Sequence, residues 1–287
     1  MSKIVLITGT SSGFGSYAAP LLASHGYKVY ATMRDISGRN REHCLAMEAQ
    51  HPNIKVLELE LTDSASIENS VKYIMTTEGR IDVLINNAGR FYMGIGESFT
   101  EEDLLHIYNV DVLGPWRLIR AVLPYMRNQN SGYIITVTSS LARFSCPFMT
   151  CYASAKHALE GLLQGMKYEL KSSNIDFTFI EPGIYPTNVF NNFGRGSDTS
   201  RNAAYGPMAH IADGIKAQLD DLFASPHAND PMLVARAMLK LIESDSVNRP
   251  IRLPVDPNAS EFTNRLNEAH DEEYLKFLTA SGMGELL

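Results

Sequence analysis

Lys3-Ile4-Val5-Leu6-Ile7-Thr8-Gly9-Thr10-Ser11-Ser12-Gly13-Phe14-Gly15 joins an aliphatic, β-branched run to a turn that holds three glycines. The run shows no polar alternation, so it reads as a strand buried on both faces, as in a parallel sheet. A helical pattern follows through about His25. Strand, glycine-rich turn and helix bring backbone N–H groups and a helix N-terminus to one point, where phosphate oxygens are well held. Gly9, Gly13 and Gly15 remove the Cβ atoms that would block a close approach.

The same alternation continues along the chain. Lys28–Thr32, 54–59, Ile81–Ile85, Tyr133–Val137 and Ile175–Ile180 read as further strands, with a short one near Ile251–Leu253. Helical patterns lie between them at about 65–77 (capped by Asp63 or Ser64), 101–127, 152–171 and 231–244. With no break in composition, this predicts one doubly wound Rossmann-type α/β domain over 1–287. Its parallel sheet has about seven strands, with helices on both faces. Residues 188–225 begin with a stretch rich in Asn, Gly, Ser and Arg and read as a mobile loop-and-helix lid over a substrate. A helical C-terminal tail spans 256–287.

Bulk properties exclude several classes. In 287 residues, 45% hydrophobic and 20% charged content is ordinary for a globular protein with a well-buried core. A formal net charge of −7 and no basic cluster argue against nucleic acid as a partner. The apolar run Ile4–Ile7 is far too short for a signal or a membrane span. Cys44, Cys146 and Cys151 have neither an even count nor C-x-x-C spacing, which predicts a reduced, cytoplasmic protein. The eight histidines show no metal-ligand spacing, so no metal is expected.

The chemistry-bearing stretch is Ser139-Ser140-Leu141-Ala142-Arg143-Phe144-Ser145-Cys146-Pro147-Phe148-Met149-Thr150-Cys151-Tyr152-Ala153-Ser154-Ala155-Lys156. Tyr152 and Lys156 stand four apart on a helical pattern and so share a face. A phenol with an ordinary pKa near ~10 is a poor proton donor or acceptor at neutral pH. A fixed ammonium beside it favours the phenolate and is expected to lower that pKa towards a working acid/base range. A nearby serine hydroxyl then holds the substrate oxygen.

Together these segments resemble the short-chain dehydrogenase/reductase family, and in particular its NADP(H)-preferring 17β-hydroxysteroid and retinol dehydrogenase-like members. The marks are Thr8-Gly9-x-x-x-Gly13-x-Gly15, Asn86-Asn87-Ala88-Gly89, Ser139 thirteen residues before Tyr152, Tyr152-x-x-x-Lys156, and Pro182-Gly183 followed by Thr187. The resemblance is close over about residues 3–187. It implies reversible hydride transfer between a nicotinamide and an alcohol/carbonyl pair. Ser139, Tyr152 and Lys156 are then catalytic, with Ser140 as the rival serine. Asn86-Asn87-Ala88-Gly89 would stabilise the sheet and line the cofactor cleft.

The cofactor contacts implied are Gly9, Ser11, Ser12, Gly13, Phe14 and Gly15 at the phosphates, and Glu60 and Leu61 at the adenine. Asn87, Ala88, Gly89, Tyr152, Lys156, Pro182, Gly183 and Thr187 complete them. After the second strand, Met33 takes the place of the acidic residue that would hold the ribose hydroxyls of NAD, and Arg34 follows it. A guanidinium there suits a 2′-phosphate, so NADP(H) is expected over NAD(H). One departure stands out: three residues before Gly114 the family carries an asparagine that holds a relay water, and here the residue is Asp111. Asn109 lies two residues off, on another face.

Tyr92, Phe148, Met149, Tyr185 and Phe190 are the expected substrate pocket, with Phe91 and Arg143 as further candidates, which suits an apolar ketone or aldehyde. The resemblance further implies a homo-oligomer, dimer or tetramer, paired through the helices at 101–127 and 152–171. Two other readings use the same letters. Gly9-Thr10-Ser11-Ser12-Gly13 also fits a hydrolase nucleophile elbow with Ser11 as nucleophile, but the upstream loop its oxyanion hole needs has no room before Gly9. A non-catalytic NADP(H) sensor or scaffold on the same fold rests on Asp111 alone.

Overall fold

The computed structural model describes residues 2–287. Seven strands form one parallel sheet in the order β3-β2-β1-β4-β5-β6-β7. They are β1 (Ile4–Thr8), β2 (Lys28–Met33), β3 (Ile54–Glu58), β4 (Val83–Asn86), β5 (Gly132–Val137), β6 (Ile175–Pro182) and β7 (Arg252–Val255). The helices are α1 (Gly13–Ser24), α2 (Arg41–Gln50), α3 (Ser64–Glu78), α4 (Glu101–Tyr108), α5 (Gly114–Gln129), α6 (Thr150–Glu169), α7 (Ile211–Ala224), α8 (Met232–Glu243) and α9 (Ser260–Ala280).

Alternate residues of each strand feed two cores. Val5, Ile7, Val29, Ala31, Ile85 and Ile135 pack beneath α1, α2 and α8. Ile4, Leu6, Tyr30, Leu84 and Ile134 pack beneath α3, α5 and α6. Both faces are covered, which is why the strands carry no polar alternation. The expected single doubly wound domain is what folds.

Two elements differ from the sequence expectation. Helix α2 was not anticipated, because it buries only Cys44 and Met47 and shows no strong apolar stripe. The expected helix 101–127 is interrupted: Asn109–Leu113 form a π-helical turn between α4 and α5. Such insertions concentrate at functional positions. Gly114 closes the turn where a Cβ would come within 2.9 Å of Leu61 Cβ.

The sheet order reverses between β1 and β4, and a cleft opens there at the strand C-termini, the usual ligand site of such sheets. Thr8 closes the base of this cleft. Its buried Oγ1 accepts the Asn87 and Ala88 N–H groups, each at 3.0 Å. The Asn87 amide donates in turn to Thr8 O at 2.8 Å and Gly9 O at 3.1 Å. A Thr8→Val variant keeps the shape and orphans two N–H groups, at a cost of about 1–3 kcal/mol each. Urea unfolding is expected to show that loss, and unchanged stability would contradict it.

Candidate active site

The glycine turn is built for close contact. Gly9 and Gly13 sit at φ +71° and +59°, backbone that side-chain-bearing residues rarely adopt. A Cβ on Gly15 would lie 2.3 Å from Gly9 O, and one on Gly9 would lie 2.8 Å from Ala88 Cα. Ser12 caps α1 in extended conformation and makes no side-chain cap bond. The first N–H groups of α1 therefore stay open to an anion. Thr187 stands across the cleft, 3.8 Å from where a Gly13 Cβ would be. These residues fit a dinucleotide pyrophosphate. Phe14 points its ring away, edge-on to Tyr185 at 5.3 Å, so only its backbone faces the turn.

At the ribose end, Met33 is the buried last residue of β2 and Arg34 follows it, its side chain 59% exposed. Arg34 Nη1 lies 3.3 Å from Glu60 Oε2, a weak surface pair that an incoming phosphate would displace. Glu60 also accepts from the Thr62 N–H and hydroxyl. These bonds and Arg34 outweigh burial and hold its carboxyl below the ordinary range. Asp35, at φ +52°, lies past the strand and turns back to accept the Arg39 N–H, as expected. Leu61 is buried in the core against Gly114, which leaves only its backbone for an adenine.

At the reacting end, Ser139 follows β5 and Tyr152 opens α6, with Lys156 one turn further on. Ser139, not Ser140, is the serine whose side chain acts on the Tyr152 hydroxyl. Ser139 Oγ also accepts the Leu141 N–H at 3.2 Å. Lys156 is buried, with Nζ 5.5 Å from the centre of the Tyr152 ring. One expectation is corrected here. The Tyr152 pKa is raised, not lowered: burial pushes it up most, Lys156 pulls it down, Asp111 adds to the rise, and the Ser139 side chain opposes it. Desolvation of a phenolate outweighs one nearby ammonium.

Asp111 sits in the π turn, 1% exposed. Its Oδ1 accepts the Arg90 N–H at 2.9 Å, while Oδ2 is buried without a partner. A Cβ on Gly89 would lie 3.3 Å from Asp111 Oδ1 and 3.4 Å from Lys156 Nζ, so carboxyl and ammonium flank one point. Burial raises the Asp111 pKa against the pull of Lys156. Asn109 instead binds Arg117 Nη2 at 2.7 Å, clear of the site.

Around Tyr152 the side chains are aromatic and apolar. Phe91 meets its ring edge-on at 4.9 Å and lies 4.9 Å from Phe190 and 6.3 Å from Phe193. Phe148, Met149, Val189 and Ile215 pack into the same cluster, and Phe223 of α7 lies 5.3 Å from Phe190. Tyr92 packs behind Tyr152 with Phe99, Val112 and Cys151, its hydroxyl buried without a partner. Two pocket candidates fall elsewhere. Tyr185 is fully buried, its hydroxyl donating to Val255 O at 2.9 Å, so it belongs to the core. Arg143 turns inward to pair with the buried Glu160 and lies beside Glu181. Sequence reasoning missed Phe193, Phe223 and Glu160. A charged residue between Leu159 and Leu163, four after Lys156, was the available signal for Glu160.

The profile of the short chain dehydrogenase family matches residues 3–198. The chain belongs to that family. A 3-ketodihydrosphingosine reductase of Bacteroides thetaiotaomicron is 34% identical over 206 residues, 71% of each chain. Human 17-beta-hydroxysteroid dehydrogenase type 1 is 36% identical over 185 residues, 63% of this chain and 56% of that one. The match thus spans little more than half of the human relative. A short-chain dehydrogenase from Streptomyces avermitilis superposes with a TM-score of 0.78 at 29% identity, covering 99% of both chains. The protein is an oxidoreductase of that family. No described helix is long and apolar enough to cross a membrane.

Glu181, at the end of β6, has its pKa raised by burial first and by Glu160 second. Above the ordinary carboxylate range, near ~4.3, the folded chain keeps a proton that the unfolded chain has released. Stability therefore falls as pH rises from about 5 through the raised value. Glu181→Gln removes this contribution. Its melting temperature is expected to fall less between about pH 5 and 8 than the parent's, and an equal fall would contradict the assignment.

Proposed function

We propose that the protein catalyses reversible hydride transfer between NADP(H) and the alcohol/carbonyl pair of an apolar substrate. The observation that carries this reading is the half-buried Tyr152 phenol, with Ser139 at its hydroxyl and Lys156 one turn away. When bound, the nicotinamide supplies or accepts the hydride. Gly9, Ser11, Ser12, Gly13, Phe14 and Gly15 hold the pyrophosphate, chiefly through backbone N–H groups. Arg34 takes the 2′-phosphate, and Glu60 and Leu61 border the adenine. Asn87, Ala88 and Gly89 line the cleft, with Pro182, Gly183 and Thr187 at the carboxamide.

In reduction Tyr152 gives its proton to the carbonyl oxygen, and Ser139 hydrogen-bonds that oxygen as charge develops. A phenol is protonated at neutral pH even at its ordinary pKa near ~10, and burial only raises that value, so the donor form is the one present. Lys156 binds the ribose and stabilises the phenolate left behind. Asp111, whose Oδ1 lies beside Lys156 and whose Oδ2 is free, positions the relay that restores the proton.

Phe91, Phe148, Met149, Phe190 and Phe193 support a lipophilic ketone or aldehyde as substrate. So do relatives named for a sphingoid ketone and a steroid alcohol. The exposed Leu105, Leu113 and Leu162 around α4–α6 support pairing with a second copy.

Tyr152→Phe is expected to lower kcat by about 10²–10⁴ while NADPH affinity holds, since it removes proton transfer and little else. Near-parental turnover would sink the mechanism. Arg34→Ala is expected to raise the KM for NADPH roughly tenfold to a hundredfold, as loss of a charged hydrogen bond does, and to leave NADH unchanged. Equal effects on both cofactors would remove the NADP assignment.

A further inference from the structure

Behind the reacting groups lies a charged cluster closed off from water. Glu160 and Glu181 are 0% exposed, and Arg252 is buried with them. One carboxylate, Glu160 on α6, meets three chain segments. Oε1 accepts the Thr138 hydroxyl at 2.7 Å. Oε2 accepts from Arg143 Nη2 and from Arg252 Nε, the latter at 3.1 Å. Thr138 and Arg143 stand on either side of the Ser139–Ala142 turn, so one carboxylate grips both ends of the segment that carries Ser139. Glu160 follows Tyr152 by eight residues and Lys156 by four, on the same helix and the same general face.

The cluster reaches further through Arg252, which also donates to Gln164 Oε1 at 2.7 Å and to Asp271 of α9. Asn267 of α9 donates to Glu181 Oε2 at 2.6 Å, next to Pro182-Gly183. Helix α9 lies beyond residue 198, where the family match ends.

We propose that Glu160 is a positioning residue: its carboxylate locks the Ser139 turn to the helix that presents Tyr152 and Lys156, and α9 completes its surroundings. This rests on the reading of Ser139 as the group that holds the substrate oxygen. Displacing such a group by an ångström costs about a hundredfold in rate without loosening substrate binding. A carboxylate that only stabilised the fold would move the melting temperature and leave kcat in place.

The test uses the full chain with NADPH and an apolar ketone. Glu160→Gln keeps the shape and loses the charge. Thr138→Val removes one hydroxyl donor and keeps the arginines paired, so it decides the matter where Glu160→Gln fails to fold. Each is expected to lower kcat, about tenfold for Glu160→Gln and about threefold for Thr138→Val, with KM and NADPH affinity unchanged. In a Ser139→Ala background the same changes are expected to cost almost nothing further, because they act through that serine. Parental kcat in a folded variant, or losses that multiply with Ser139→Ala, overturns the proposal. Full activity in Ser139→Ala alone instead removes the reading of Ser139 beneath it.

Discussion

The structure depends on the place where β1 and β4 separate. A parallel sheet wound in both directions from β1 leaves an opening at that point. It must be held open without stranding the backbone groups that line it. The Thr8 hydroxyl and the Asn87 amide do this by satisfying the backbone on both sides. The glycine turn and Gly89 then bring α1, Asp111 and Lys156 to the rim with no Cβ between them.

Tyr152 is governed by two opposed effects. Low-dielectric surroundings favour the neutral phenol, and the ammonium at one helical turn favours the phenolate. Burial prevails, so Tyr152 keeps its proton until something draws it off. Asp111 adds a second buried carboxyl where an amide would carry no charge, and it faces the same ammonium. The π turn that presents Asp111 gives a backbone reason for its placement, since regular helix through 109–113 would rotate the residues on either side.

Much of this was legible in the chain. Strands with unbroken β-branched runs identified themselves, and the spacing from Ser139 through Tyr152 to Lys156 marked the side chains to which the proposed chemistry is assigned. Arg34 and Asp35 fell where the end of β2 was expected. What stayed hidden depends on tertiary contact. The direction of the Tyr152 shift required knowing how deeply its hydroxyl is surrounded. Arg143 and Tyr185 looked like pocket residues because they flank the site in sequence, yet Glu160 and Val255 draw them inward. Helix α2 has too few apolar residues to declare itself, and the π turn has no sequence signature apart from Gly114.

The most direct test follows the hydrogen itself. NADPH carrying deuterium at both C4 positions of its nicotinamide would be supplied with an apolar ketone, and the product analysed by mass and NMR. The account predicts one deuterium on the new carbinol carbon of the alcohol, with its hydroxyl proton drawn from solvent. A product alcohol without the label would contradict direct hydride transfer at this site.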